Sequence, residues 1–151
     1  MSNASSVPAD REIVASRLLA HAPSKVFQAF RNPATLATWW GPDGFTNTFY
    51  EFDFRAGGAW RFTMHSPDGK DFLNDSRFVE IVEPSRIVLD HLSSPHFQAD
   101  ITIHPTDEGC RLDWRMIFED SKTRENVAKF AVDGLEQNLN RLSAALNDPQ
   151  T

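Results

Sequence analysis

Near the end of the chain, Val127, Phe130, Ala131, Leu135, Leu139, Leu142 and Leu146 recur at spacings of three and four. That period puts them on one side of an α-helix. Asp120 or Ser121 can cap its start, and Asn147, Asp148 and Pro149 end it, so a helix is predicted over residues 122–146. At 1.5 Å per residue it is about 35–40 Å long, enough to cross a whole sheet. A one-sided helix of that length needs a comparably long apolar face to cover it.

The preceding chain supplies that face as strands. Residues 12–20 alternate imperfectly and read as a first strand. Pro23 opens a short helix over residues 23–31 that puts Val26, Phe27 and Phe30 on one side. Asn32 is a natural cap for a second short helix, which ends in Trp39-Trp40-Gly41-Pro42. Of the two adjacent tryptophans, one is expected in the core and the other at the mouth of a cavity. Residues 48–55 then place Tyr50, Phe52 and Phe54 on one face, and residues 59–65 place Trp60, Phe62 and Met64 on one face. Gly57-Gly58 and Pro67-Asp68-Gly69 are turns. Strands over residues 72–82, which accommodates a bulge, 86–92, 97–104 and 110–118 follow. The last carries Cys110, Leu112, Trp114, Met116 and Phe118 on one face.

The predicted class is therefore α+β: a curved antiparallel sheet of about six or seven strands wrapped on a long C-terminal helix, with two short helices after strand one. A sheet curled around one helix leaves a space between them. Twelve Phe and four Trp against one Tyr suit either a very large core or the lining of such a space.

Composition narrows the function. The 151 residues suit one domain, expected over residues 11–148 behind a disordered tail of residues 1–10. A net charge of −6 argues against a phosphate-gripping nucleic-acid face. Cys110 is the only cysteine, so an internal disulfide is excluded, and it reads as a small buried apolar residue. No apolar run approaches the ~20 residues a bilayer span needs, and the Ser/Ala/Pro-rich start lacks the form of a secretory leader. A cytoplasmic protein without membrane insertion is expected.

No phosphate-loop, dinucleotide, nucleophile-elbow or zinc-helix pattern occurs, and neither cofactor nor metal is expected. The five histidines offer no tetrahedral spacing. His91 ends a strand that can point inward, while its neighbour Asp90 must face the other way. It is a weak candidate for a catalytic base; Asp100 and Asp113 are the carboxylates that could pair with it, although alternation turns Asp113 outward. The candidate ligand-lining residues are Trp40, Phe52, Trp60, Phe62, Met64 and Phe72, with Trp114, Met116 and Phe130 opposite. Asn74, His91 and Asn138 are the polar groups that could orient a ligand. Gly134 interrupts the helical stripe at a cost of about 1 kcal/mol relative to Ala, which asks for close backbone approach or room for a ligand. Asn138 on the same stripe needs a partner, since an unpaired buried amide costs about 1–3 kcal/mol.

Several stretches resemble one family. They are Ala22-Pro23-Ser24-Lys25-Val26-Phe27, Trp39-Trp40-Gly41-Pro42, residues 53–60 (DFRAGGAW), residues 78–88 (FVEIVEPSRIV) and residues 134–142 of the last helix. The chain is similar to the START-like superfamily of the helix-grip fold, also called SRPBCC. Within it, the chain resembles the branch named for homology to the activator of the heat-shock-protein-90 ATPase. The double Trp with Gly-Pro and the Gly-Gly turn are the specific parts. The resemblance implies a fold and a cavity but no single reaction, because the superfamily includes lipid carriers, hormone receptors and cyclases. Two departures bear on pocket size: Leu135 stands where the family often has Trp, and Ser76 where it often has Gly.

The leading expectation is binding of a small hydrophobic or aromatic molecule between sheet and helix. The alternative is a cyclase-, dehydratase- or hydrolase-type enzyme acting on such a molecule. A chaperone-regulating role is less favoured, because the extra docking domain of the eukaryotic activator is missing from this sequence. Self-association into a homodimer is left open.

Overall fold

A computed structural model describes residues 8–148, so the first seven residues of the expected tail lie outside the described part. A single 3-10 turn, Ala9–Arg11, leads into β1 (Glu12–Leu19). The two short helices follow as α1 (Pro23–Arg31) and α2 (Pro33–Trp39). Six strands come next: β2 (Thr46–Phe52), β3 (Ala59–His65), β4 (Asp71–Val82), β5 (Arg86–His91), β6 (Phe97–Thr106) and β7 (Gly109–Phe118). The long helix is α3 (Ser121–Asn147). No helix among the described residues is long and apolar enough to cross a membrane.

The seven strands form one antiparallel sheet in the order β1-β7-β6-β5-β4-β3-β2. Hairpins explain every neighbour except β1, which crosses over to pair with the last strand. α1 and α2 occupy that crossover. α2 and α3 start where a capping side chain dictates, and α1 starts at Pro23 with no side-chain cap. Asn32 Oδ1 accepts from the Ala34 and Thr35 amides at 3.0 and 3.4 Å, and Asp120, not Ser121, caps α3 by accepting from the Thr123 amide at 2.7 Å.

One strand departs from its predicted phase. A bulge between Phe49 and Glu51 adds a residue to β2. Phe49 and Phe52 therefore point inward, while Tyr50 is exposed and its hydroxyl meets Thr63 Oγ1 at 2.8 Å on the outer face. A second bulge, between Phe78 and Glu80, turns Val79 outward in β4. Gly58 is required where it stands, because a Cβ there would lie 2.0 Å from the Asp53 carbonyl oxygen.

The sheet's concave face meets α3 unevenly. Along β1, β7 and β6, Ile13, Ala15, Leu112, Ile101 and Ile103 are buried in one core cluster that includes Val127, Leu139, Leu142 and Leu146 of α3. Each of these leucines contributes about 1.5–3 kcal/mol by leaving water. The outer face is charged: Arg86 grips the buried Asp100 with two bonds of 3.1 and 2.8 Å, and Arg115 pairs with Glu12. α3 begins just after β7, so its first turns cover the sheet end that carries Phe97 and Phe118.

Candidate functional site

The inward aromatics divide into two groups. Those on the β2–β3 side interlock. Trp40 lies 4.8 Å from Trp60 and 5.2 Å from Trp114 between ring centroids, and Trp60 stacks on Phe62 at 4.4 Å. Phe52 meets Trp60 edge-on at 5.7 Å, and Phe78 stacks parallel to Trp60 at 5.9 Å. These are contact distances for aromatic pairs, so here the rings fill the space that the sequence pattern left open. Trp39 is the core member of the tryptophan pair, with its indole N–H donated to the Ala29 carbonyl at 3.1 Å; Trp40 is only partly covered. The buried indole N–H of Trp60 has no hydrogen-bond partner among the described residues.

The second group stays open to solvent. One cross-strand row runs Trp60, Ser76, His91, Phe97, Phe118 from β3 to β7. On the same inner face, several apolar side chains are only partly covered. Met64, Phe97 and Met116 are half-buried, Phe72 is 48% exposed, and Phe130 on α3 is 67% exposed. Phe45 comes within 6.4 Å of Phe72, centroid to centroid, from the loop after α2. The space between these side chains and the first half of α3 is the candidate trough.

Two polar side chains lie on its floor. His91 Nε2 is 2.6 Å from Asn74 Oδ1, and His91 Nδ1 is 2.8 Å from the Pro95 carbonyl oxygen. Asn74 Nδ2 donates to the Phe72 carbonyl at 2.9 Å. Phe97 stacks on the imidazole at 4.6 Å. Burial pushes the His91 imidazole below its ordinary value, against the opposing pull of the Pro95 hydrogen bond.

The other polar candidate has a different job. Asn138 Nδ2 donates to the Trp39 carbonyl at 2.8 Å, and its Oδ1 accepts from the Gly41 amide at 3.1 Å. Its bonds therefore hold the Trp-Trp-Gly-Pro loop. A Cβ on Gly134 would meet Pro42 Cγ at 3.4 Å, an ordinary contact, so α3 lies beside the same loop here with room for a methyl group. Sequence reasoning missed the third member of this clamp. Arg141 donates to the carbonyls of Thr38, Trp40, Gly41, Pro42 and Phe45 at 2.8–3.3 Å. Its signal was available: it follows Asn138 by three residues, a charge on the apolar side of α3.

Among the described residues no carboxylate hydrogen-bonds His91. Asp100 and Asp113 lie on the outer face, the first held by Arg86 and the second by Ser16 and Arg111. Also outside, His65 bridges Thr48 Oγ1 and Asp71 Oδ1, each at 2.7 Å, on an exposed part of the sheet. Among the described residues no group of three or more His, Cys, Asp or Glu is placed to hold a metal. A groove of about 420 Å³ lies at the opposite sheet end, lined by Leu18, Leu19, Ala20, Thr106, Asp107, Glu108 and Cys110. Its rim carries turn carboxylates, and it lies at the far end of β6 and β7 from His91.

A seven-stranded antiparallel sheet gripping one long C-terminal helix, with two short helices after the first strand, defines the helix-grip class of α+β proteins. Within that class, the chain belongs to the family described as Activator of Hsp90 ATPase homolog 1-like protein, whose sequence model matches residues 20–147. Solved structures agree. A protein from Nitrosomonas europaea superposes with a TM-score of 0.84 at 21% identity, covering 93% of this chain and 96% of that one. One from Chromobacterium violaceum gives 0.78 at 28% identity, covering 88% and 95%. An AHSA1 protein from Silicibacter pomeroyi gives 0.72 at 20%, covering 89% and 96%. No curated protein matches the sequence.

Proposed function

We propose that this chain binds a small hydrophobic molecule in the trough between the first half of α3 and the concave sheet face. One observation carries the reading. Phe72 and Phe130 stand exposed, and Met64, Phe97 and Met116 are only partly buried, on the inner side of the sheet and on α3, where Asn74 and His91 form a polar pair. Scattered exposed apolar residues need no explanation, but a contiguous set on the inner side of a sheet does. Apolar burial would supply affinity, and the polar pair would fix orientation. The packed rings of Trp60, Phe62 and Trp114 form the rigid wall behind the trough, and Trp40 its edge. An enzyme reading gains nothing from the geometry, since among the described residues no carboxylate hydrogen-bonds His91.

The test is ligand-observed and protein-observed binding with fatty acids, fatty alcohols and fused-ring aromatics. Amide and methyl shifts confined to Met64, Phe72, Phe97, Met116 and Phe130, with a raised melting temperature, are expected. Absence of binding by every class, or shifts centred on the groove by Cys110, would overturn the reading.

A further inference from the structure

We propose that the ligand of this trough is an organic acid bound as its anion, with the imidazolium of His91 as its counter-charge; this rests on the binding reading above. The argument is a count of protons. Three polar contacts run in series: the Pro95 carbonyl to His91 Nδ1 at 2.8 Å, His91 Nε2 to the Asn74 amide at 2.6 Å, and the Asn74 amide to the Phe72 carbonyl at 2.9 Å. Both ends are carbonyl oxygens and only accept. Each contact needs one hydrogen. A neutral imidazole offers one, and a carboxamide bridging two neighbours offers one, whichever way it is turned. Two hydrogens serve three contacts, so every neutral arrangement leaves one acceptor facing another. The Ser93 hydroxyl reaches Nε2 only at 3.5 Å and does not close the gap.

Protonating His91 supplies the third hydrogen and satisfies the whole series. It also creates a cation in an apolar setting. The side chains that share its row on β3, β4, β6 and β7 are Trp60, Ser76, Phe97 and Phe118, and the α3 stripe above carries Val127, Phe130, Ala131 and Gly134; all are uncharged. The charged groups that act on it are Asp75 of β4, which favours the proton, and His96 of the β5–β6 turn, which opposes it. Neither faces it across the trough. A buried cation is tolerated when an opposite charge arrives with it. A carboxylate or acidic phenol with an apolar body brings that charge to the polar pair on the sheet face. The body then occupies the space beside Met64, Phe72 and Phe130.

The experiment compares matched probes: naphthoate against naphthamide, and decanoate against decanol. Titration calorimetry of the full chain at roughly pH 7.5, in buffers of different ionisation enthalpy, counts protons taken up on binding. Each acid is expected to bind about tenfold or more tightly than its neutral partner and to draw up to about one proton per site. His91→Gln is expected to erase both the preference and the proton uptake. Nitrogen shifts of the wild-type imidazole, neutral before and charged after addition of naphthoate, report the same event without a variant. Equal affinity of acid and neutral probes without proton uptake would overturn this proposal and leave the hydrophobic-binding reading standing. Failure of all four probes to bind would overturn both.

Discussion

Asn138, in the middle of α3, donates to the carbonyl of Trp39 at 2.8 Å, across a sequence separation of 99 residues. With the Gly41 amide bonded to its Oδ1, the carboxamide is satisfied entirely by the loop that carries Trp40 and Phe45. Replacing it by Leu leaves a buried carbonyl and a buried amide without partners. Asn138→Leu is expected to lose about 1–3 kcal/mol of stability. Urea denaturation measures this, and an unchanged midpoint would show that the loop finds other partners.

Arg141 is the stronger half of the clamp. Its five carbonyl acceptors share one half-buried guanidinium, and partial burial pushes that group below its ordinary value. A planar fork reaches carbonyls that an ammonium cannot reach together. Arg141→Met is expected to cost about 2–4 kcal/mol, and Arg141→Lys to recover only part of it. Combined with Asn138→Leu, the loss should be less than additive, because both changes release the same loop. A double-mutant cycle in urea decides the point.

Gly134 poses the opposite question. A Cβ at this position meets Pro42 Cγ at 3.4 Å, which is ordinary contact, and nothing nearer. Ala therefore fits, and it gains helix propensity worth up to about 1 kcal/mol. Gly134→Ala is expected to hold or raise the melting temperature. Gly134→Leu drives a longer side chain into Pro42 and is expected to lower it by several degrees, roughly the shift 1–2 kcal/mol produces. Scanning calorimetry on the pair separates close approach from mere tolerance.

These residues show where the sequence could be read and where it could not. α3 and its stripe, the caps at Asn32 and Asp120, and the strands from Ala59 to Phe118 follow from local periodicity and turn chemistry, which the chain carries in its own order. Alternation puts Tyr50 on the face of Phe52 and Phe54, yet it lies on the other, because one bulge residue shifts the phase and nothing in the alternation marks the insertion. The interlocking of Trp40, Trp60 and Trp114 depends on the distance between layers, which periodicity does not encode. Asn138 could be recognised as needing partners, but those partners lie some hundred residues earlier. Arg141 gives a weaker signal, because a charge on a helix is normally solvated.

His91 gives the protein a pH dependence whose sign is fixed. Burial lowers its folded value below the ordinary 6.5 of the unfolded chain. Between those two values the unfolded chain holds more protons, so stability falls as pH drops through that window. It levels off once both states are protonated, and the contribution is fully present above the unfolded value. The slope from this one group is at most about 1.4 kcal/mol per pH unit. The difference in unfolding free energy between wild type and His91→Gln is expected to be flat above neutrality and to shrink in acid. A difference that grows in acid would reverse the assignment.

Phe130 separates binding from folding. It belongs to the apolar stripe of α3, yet it is 67% exposed while Leu139 and Leu142, further along the same stripe, are fully buried. A side chain so open contributes little to the fold, and surface substitutions away from special features usually change stability by about 0.5 kcal/mol or less. The same openness makes it the part of the trough with most area left to cover. Burying a Phe side chain against a ligand is worth on the order of 1.5–3 kcal/mol, and partial burial a fraction of that. Phe130→Ser is therefore expected to leave the melting temperature within about a degree or two while weakening probe binding roughly five- to tenfold. Phe118→Ala, at a fully buried position on the same sheet end, should do the reverse and lose about 3–5 kcal/mol of stability. If Phe130→Ser instead destabilised the fold and left affinity untouched, the first half of α3 would be core, and the trough would not be where a guest sits.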